Sequence, residues 1–114
     1  MSNAWENNII LQKSDELAHL VYFLTRSFPK EEIYGITSQI RRAGLSVTLN
    51  MIEGYSRFKT KSHINFLEIS FGSLKETQYL LDFCLKEKYL SRMNYERAAL
   101  LSEEVSKIRT LSQK

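Results

Sequence analysis

The chain has 114 residues with a single cysteine, one proline and four glycines, and 16 basic against 13 acidic side chains give it a formal charge of +3. That length suits one domain, and 43% hydrophobic with 25% charged residues is a globular balance that excludes wholesale disorder. The few turn-forming residues argue against a β-sandwich or barrel, and no apolar run approaches the ~18 residues needed to span a bilayer.

Helical periodicity begins at about residue 8 and runs to about residue 26, carried by Ile10, Leu17, Leu20 or Val21, and Leu24. Phe28-Pro29 ends it, because the residue before proline avoids the α region. Pro29-Lys30-Glu31-Glu32 reads as a new start, with proline at the first position and carboxylates near the positive pole of the helix, although Gly35 interrupts the opening. This second helix is expected over 30–55. One stripe on it is Ile36, Ile40, Ala43, Val47, Met51 (or Asn50) and Gly54, and a second is Leu45, Leu49 and Ile52. Two stripes exceed what one core requires, so burial against another subunit is expected as well. The small residues Ala43, Gly44 and Ser46 permit close approach of a neighbour.

A short basic connection, residues 56–60, leads to a third helix expected over 61–88 with Thr60 as its N-cap. Leu67, Phe71, Leu74, Leu81 and Leu85 form one face, and Phe66, Ile69, Leu80 and Phe83 a neighbouring one. Cys84 lies in this apolar stretch and reads as a buried thiol, in keeping with a reducing cytoplasm. Ser91 is the expected cap of a fourth helix over 92–112, with Ala98, Leu101, Val105, Ile108 and Leu111 on its core side. Short connections imply one domain over 1–114, an antiparallel up-and-down four-helix bundle. The opening residues lack a basic segment followed by a long apolar run, so a cytoplasmic location is expected.

Several constellations bear on chemistry. Glu16 and His19 have the Glu-x-x-His spacing of di-iron bundles, but no second pair accompanies them, so no metal site or cofactor is expected. Glu53 and Glu76 stand near apolar faces, where a carboxylate needs a partner. Arg41 or Arg42 is the expected partner, across the second and third helices, in a structural network rather than a catalytic pair. Phosphate loops and nucleophile motifs are absent, and no catalytic residue is expected. The basic charge is concentrated instead. Between Arg41 and His63 stand Arg41, Arg42, Arg57, Lys59 and Lys61, with Glu53 the one acid. Tyr55, Phe58 and His63 interleave with the cations, a mixture suited to phosphate contact and base stacking.

Three ordered blocks, within a match over roughly residues 10–112, carry a resemblance. Phe28-Pro29-Lys30-Glu31-Glu32 followed by Gly35-Ile36-Thr37-Ser38-Gln39-Ile40-Arg41-Arg42-Ala43 resembles the opening of the 23S rRNA intervening-sequence protein family. Ser46 to Arg57 is similar to that family's S-I-P-x-N-I-A-E-G-x-G-R signature. Phe66 to Glu76 is similar to its F-L-x-x-A-x-G-S-x-x-E. Thr48 stands for the usual proline, Met51-Ile52 for Ile-Ala and Ser56 for glycine, while Ser46, Asn50, Glu53, Gly54, Arg57 and Glu76 keep the polar pattern. The resemblance implies a bacterial homopentamer, a ring of bundles, related in fold to the basic, nucleic-acid-binding accessory protein of diversity-generating retroelements. The expected function is non-enzymatic association with nucleic acid, RNA foremost, through Arg41, Arg42, Arg57, Lys59 and Lys61. Ser46, Asn50, Glu53, Gly54 and Glu76 are expected to be structural. The alternative is a protein-interaction scaffold that binds no nucleic acid.

Overall fold

Asn8 opens the first helix, α1 (Ile9–Thr25), by accepting the Leu11 amide on its side-chain oxygen at 2.9 Å. The computed structural model describes residues 8–109. Three further α-helices follow, α2 (Ile36–Ser56), α3 (Ser62–Lys86) and α4 (Arg92–Val105), and no strand occurs among the described residues. The chain is all-α.

The start of α2 corrects the sequence reading. Pro29 does initiate helical structure, but only a short 3-10 turn over Lys30–Glu32. Gly35 then takes φ −109° and ψ −117°, outside the helical region, and α2 begins at Ile36. The Glu32 side chain folds back so that Oε1 lies 3.4 Å from the Ile36 amide. A Cβ on residue 35 would stand 2.6 Å from that oxygen, so the absent side chain of Gly35 is what admits the carboxylate. The other carboxylate oxygen of Glu32 accepts the Tyr89 hydroxyl at 2.9 Å, joining this segment to the chain just beyond α3.

The remaining boundaries differ by a few residues. The N-cap position of α3 is Lys61 and carries no capping side chain, while Thr60 Oγ1 accepts the Ser62 amide from one residue earlier at 3.3 Å. The α3 helix ends at Lys86. Lys88 adopts a left-handed φ of 64°, and the amides of Tyr89 and Leu90 both return to the Cys84 carbonyl. Ser91 caps α4 as expected, accepting the Asn94 amide at 3.1 Å. The α4 helix stops at Val105, residues 106–107 turn, and the helix expected to residue 112, with Leu111, extends outside the described residues.

One core joins the four helices. Leu11, Leu17, Val47, Met51, Leu74, Ala98 and Val105 are sealed from solvent, with Ile40, Leu67 and Leu81 close behind. Ile36, Ile40, Ala43, Val47 and Met51 of the first α2 stripe lie in it, Gly54 is buried beside it, and Asn50 is half-buried. Helix α1 packs on α2 and α4, and α3 packs on the same two. Gly44 and Ala43 are buried, and Gly44 faces Ala18 and Val21 of α1, so close approach at these small residues serves contacts within the chain. The second stripe stays at the surface: Leu45 is 38% and Leu49 61% exposed, and Ile52 packs on the core edge.

Buried hydroxyls stitch the helices together where apolar packing leaves polar atoms to satisfy. Thr48 donates to Ser14 across α2 and α1 at 3.2 Å, and Ser14 donates to its own Leu11 carbonyl. Ser70 of α3 donates to the Val47 carbonyl at 2.6 Å. Gln78 meets Ser102 across α3 and α4. Cys84 is buried, and burial, then the charge of Glu32, pushes its thiol up to about 11.

Candidate nucleic-acid interface

The basic residues do not form one surface on the chain. Arg41 and Arg42 sit in the first half of α2, and Arg57 follows its end. Fifteen residues at 1.5 Å rise separate Arg42 from Arg57 by ~22 Å along the helix. The expected single cluster therefore resolves into two groups at opposite ends of α2.

At the first end, Arg41 is committed to α1. Its Nε donates to Thr25 Oγ1 at 2.8 Å, and its guanidinium lies 4.6 Å above the Tyr22 ring. Arg42 is exposed and lines a cleft of about 540 Å³ between α2 and α3 together with Ser38, Gln39, Ser73 and Glu76. The expected Arg–Glu pair across these helices is absent among the described residues. Glu76 is exposed rather than buried, and Glu53 turns to its own helix, where its Oε1 accepts both Nε and Nη2 of Arg57 at 2.9 Å. The polar network that does link α2 and α3 is smaller and neutral. The hydroxyls of Ser46 and Ser73 lie 2.7 Å apart, and Asn50 donates to the Ser46 carbonyl and hydroxyl, each at 2.9 Å.

At the second end, the chain turns sharply between α2 and α3. The Thr60 amide donates to the Arg57 carbonyl at 2.9 Å, leaving Phe58 and Lys59 at the corners of the turn. Lys59 takes φ 71°, a left-handed conformation that glycine or asparagine adopts more readily. Phe58 is 64% exposed. Arg57 lies with its guanidinium 5.2 Å above the Phe66 ring. Lys61 is exposed beside them.

His63 anchors this turn to the helix before it. Its Nδ1–H donates to the Gly54 carbonyl at 2.7 Å, a second donor there beside the Arg57 amide at 3.2 Å. Its ring also contacts those of Phe58, edge to face at 5.4 Å, and Tyr55 at 6.1 Å. Gly54 makes the approach possible, since a Cβ there would stand 3.1 Å from Leu67 Cδ2 and 3.3 Å from the His63 carbonyl oxygen. The sequence places His63 among the aromatic and basic residues of the loop. Its anchoring role depends on a nine-residue contact that periodicity does not reveal.

Among the described residues no helix is long and apolar enough to cross a membrane, and no three metal-ligating acids, histidines or cysteines come together. No curated protein matches the chain. A solved structure does: the crystal structure of a protein of unknown function from the S23 ribosomal protein family from Bacteroides thetaiotaomicron is 26% identical, with 94% of this chain and 97% of that one covered and a TM-score of 0.83. Over residues 6–110 the chain also matches the family described as 23S rRNA-intervening sequence protein.

Proposed function

We propose that this chain, which belongs to the 23S rRNA-intervening sequence protein family, is a non-enzymatic, self-associating protein that binds nucleic acid, RNA foremost, through the turn between α2 and α3. The observation that carries this reading is the turn itself. Arg57, Lys59 and Lys61 bring three cations within five residues, around an aromatic ring left in solvent. Cations of this kind bind phosphates by releasing counterions, with a strong dependence on salt. Arg42 is a second, separate source of positive charge. Arg41 is already bound to Thr25 and Tyr22, and Arg57 to Glu53, so each must exchange a partner to reach a phosphate.

Self-association rests on the exposed α2 stripe of Leu45 and Leu49, beside Tyr22 of α1. In this reading the subunit is an antiparallel up-and-down bundle in a homopentameric ring. The order of cross-helix pairs supports the first part: Arg41 meets Thr25 while Thr48 meets Ser14, and Ser46 meets Ser73 while Gly54 meets His63. A ring repeats the same turn about its axis, which multiplies affinity for a long polyanion without any new contact. No catalytic residue, metal or cofactor enters the reading, and a buried free cysteine suits the cytoplasm.

The test is binding of a structured RNA by fluorescence anisotropy at rising salt. Affinity should fall steeply with salt, and Arg57→Ala combined with Lys59→Ala should weaken binding and flatten that dependence. Binding unchanged by the double substitution overturns the reading. The same exposed stripe favours a second reading, a scaffold for another protein. A partner recovered in fixed stoichiometry after nuclease treatment, alongside a turn indifferent to RNA, would establish it.

A further inference from the structure

Two features of the turn run against local preference. Corners of tight turns favour glycine, asparagine, aspartate or proline, yet here they hold a phenylalanine and a lysine. Phe58 leaves most of its ring in water, and Lys59 holds a left-handed φ of 71°. A local rule broken twice in neighbouring residues, on a turn tied down at both ends, is the pattern expected where display of a side chain matters. The ties are specific. Thr60 closes the turn on Arg57, and His63 fastens it to Gly54 while touching the Phe58 ring. The contact with His63 holds one edge of the ring before any ligand arrives, which lowers the ordering cost of contact.

We infer that Phe58 is a stacking platform for an unpaired base, so that the turn selects single-stranded or looped nucleic acid over a continuous duplex. The inference rests on the nucleic-acid reading above and names the class of ligand. In a duplex every base face is already covered by its neighbours, and a ring on a surface turn meets only phosphate and groove edges. An unpaired base offers an open face of the right size and polarity. The ammonium of Lys59 lies 6.0 Å from the centre of the Phe58 ring, and Arg57 precedes it in the chain, so phosphates flanking a stacked base would meet cations.

The test compares an unstructured oligouridylate with an RNA duplex of equal length, each labelled, against the wild type, Phe58→Ala and Phe58→Trp. Phe58→Ala should weaken single-strand binding about tenfold and leave duplex binding unchanged, and Phe58→Trp should restore it. Equal loss on both probes, or no loss on either, overturns the stacking platform while leaving the cationic reading intact. A wild type that binds neither probe overturns this inference, and one that also fails to bind the structured RNA overturns the nucleic-acid reading with it. Phe58→Ala should also keep the mass in solution of the wild type. Dissociation into smaller species would assign the ring to a subunit contact and overturn the platform.

Discussion

The Nδ1 of His63 lies 2.7 Å from the carbonyl oxygen of Gly54, so the first turn of α3 closes the last turn of α2. The contact joins the glycine of the sequence signature to a residue outside it.

Replacing His63 with alanine removes that donor and leaves the Gly54 carbonyl without its side-chain partner. A loss of ~1 kcal/mol in unfolding free energy is expected, the usual worth of one such hydrogen bond. Urea denaturation checks it. Retained stability would mean that water replaces the imidazole without cost.

Gly54→Ala should destabilise the protein by about 1–3 kcal/mol, although alanine is the better helix former. The new methyl would press on Leu67 Cδ2 and on the His63 backbone oxygen, and neither a sealed core leucine nor a helix backbone yields easily. Thermal melting monitored by circular dichroism reads the effect. A higher melting temperature would show that α2 and α3 separate without penalty.

Glu76→Ala should change the stability of the isolated subunit by no more than ~0.5 kcal/mol, as for other exposed positions. Its carboxylate stands in solvent at the rim of the Arg42 cleft, and its removal strands no buried partner. A large drop in melting temperature, measured at concentrations where the protein is monomeric, would refute this.

Lys59→Gly separates conformation from charge. Glycine relieves the left-handed φ, worth about 1 kcal/mol of stability, while the cation disappears. The variant should melt higher and bind RNA more weakly. Its salt slope on a single strand should shrink by roughly 0.7 for each phosphate that is no longer neutralised. Glu53→Gln should do the reverse to binding, because it frees the Arg57 guanidinium from its ion pair.

Cys84 should resist thiol reagents in the native state and react on unfolding. Its thiol is raised from 9.0 to about 11, first by burial and then by the charge of Glu32. The raised value fixes the sign of the pH dependence. Its contribution to stability is complete below about 9, the unfolded value, and is lost as pH rises through about 11. A Cys84→Ser variant should lack that alkaline loss when melts are compared across this range.

Four helices and the core stripe of α2 are legible in the sequence because apolar spacing is local, whereas Ile69 and Phe83 of the second α3 face are exposed and the sealed Leu11 of α1 is missed. Ile36, Ile40, Ala43, Val47 and Met51 all lie where their period puts them. The start of α2 is not legible, because Pro29 is a good first residue for either a 3-10 turn or an α-helix. What decides between them is the backbone of Gly35 with the Glu32 carboxylate folded over it. The charged residues mislead for a different reason. Sequence spacing shows which charges share an element but not which partner each selects. Glu53 takes the nearer Arg57, one helical turn away, and Arg41 finds a hydroxyl and an aromatic ring on α1. Small neutral groups, Ser46, Asn50 and Ser73, fill the position where a buried salt bridge is expected from the sequence, and they avoid its desolvation cost.

The single carboxylate of Glu32 reaches both the first amide of α2 and the hydroxyl of Tyr89 just past α3. Everything between them, the α2–α3 hairpin, is thereby a loop of chain with a clasp at its open end and His63 at its closed end. Such a unit loses its ordering only as a whole, because fraying from either end must first break a side-chain bond. The amide protons of α2 and α3 should therefore be the slowest to exchange with solvent, while those of α1 and α4 exchange through smaller openings. The part of the molecule that carries the turn would then be its most durable part, a rigid mount on which a short loop can hold a strained shape.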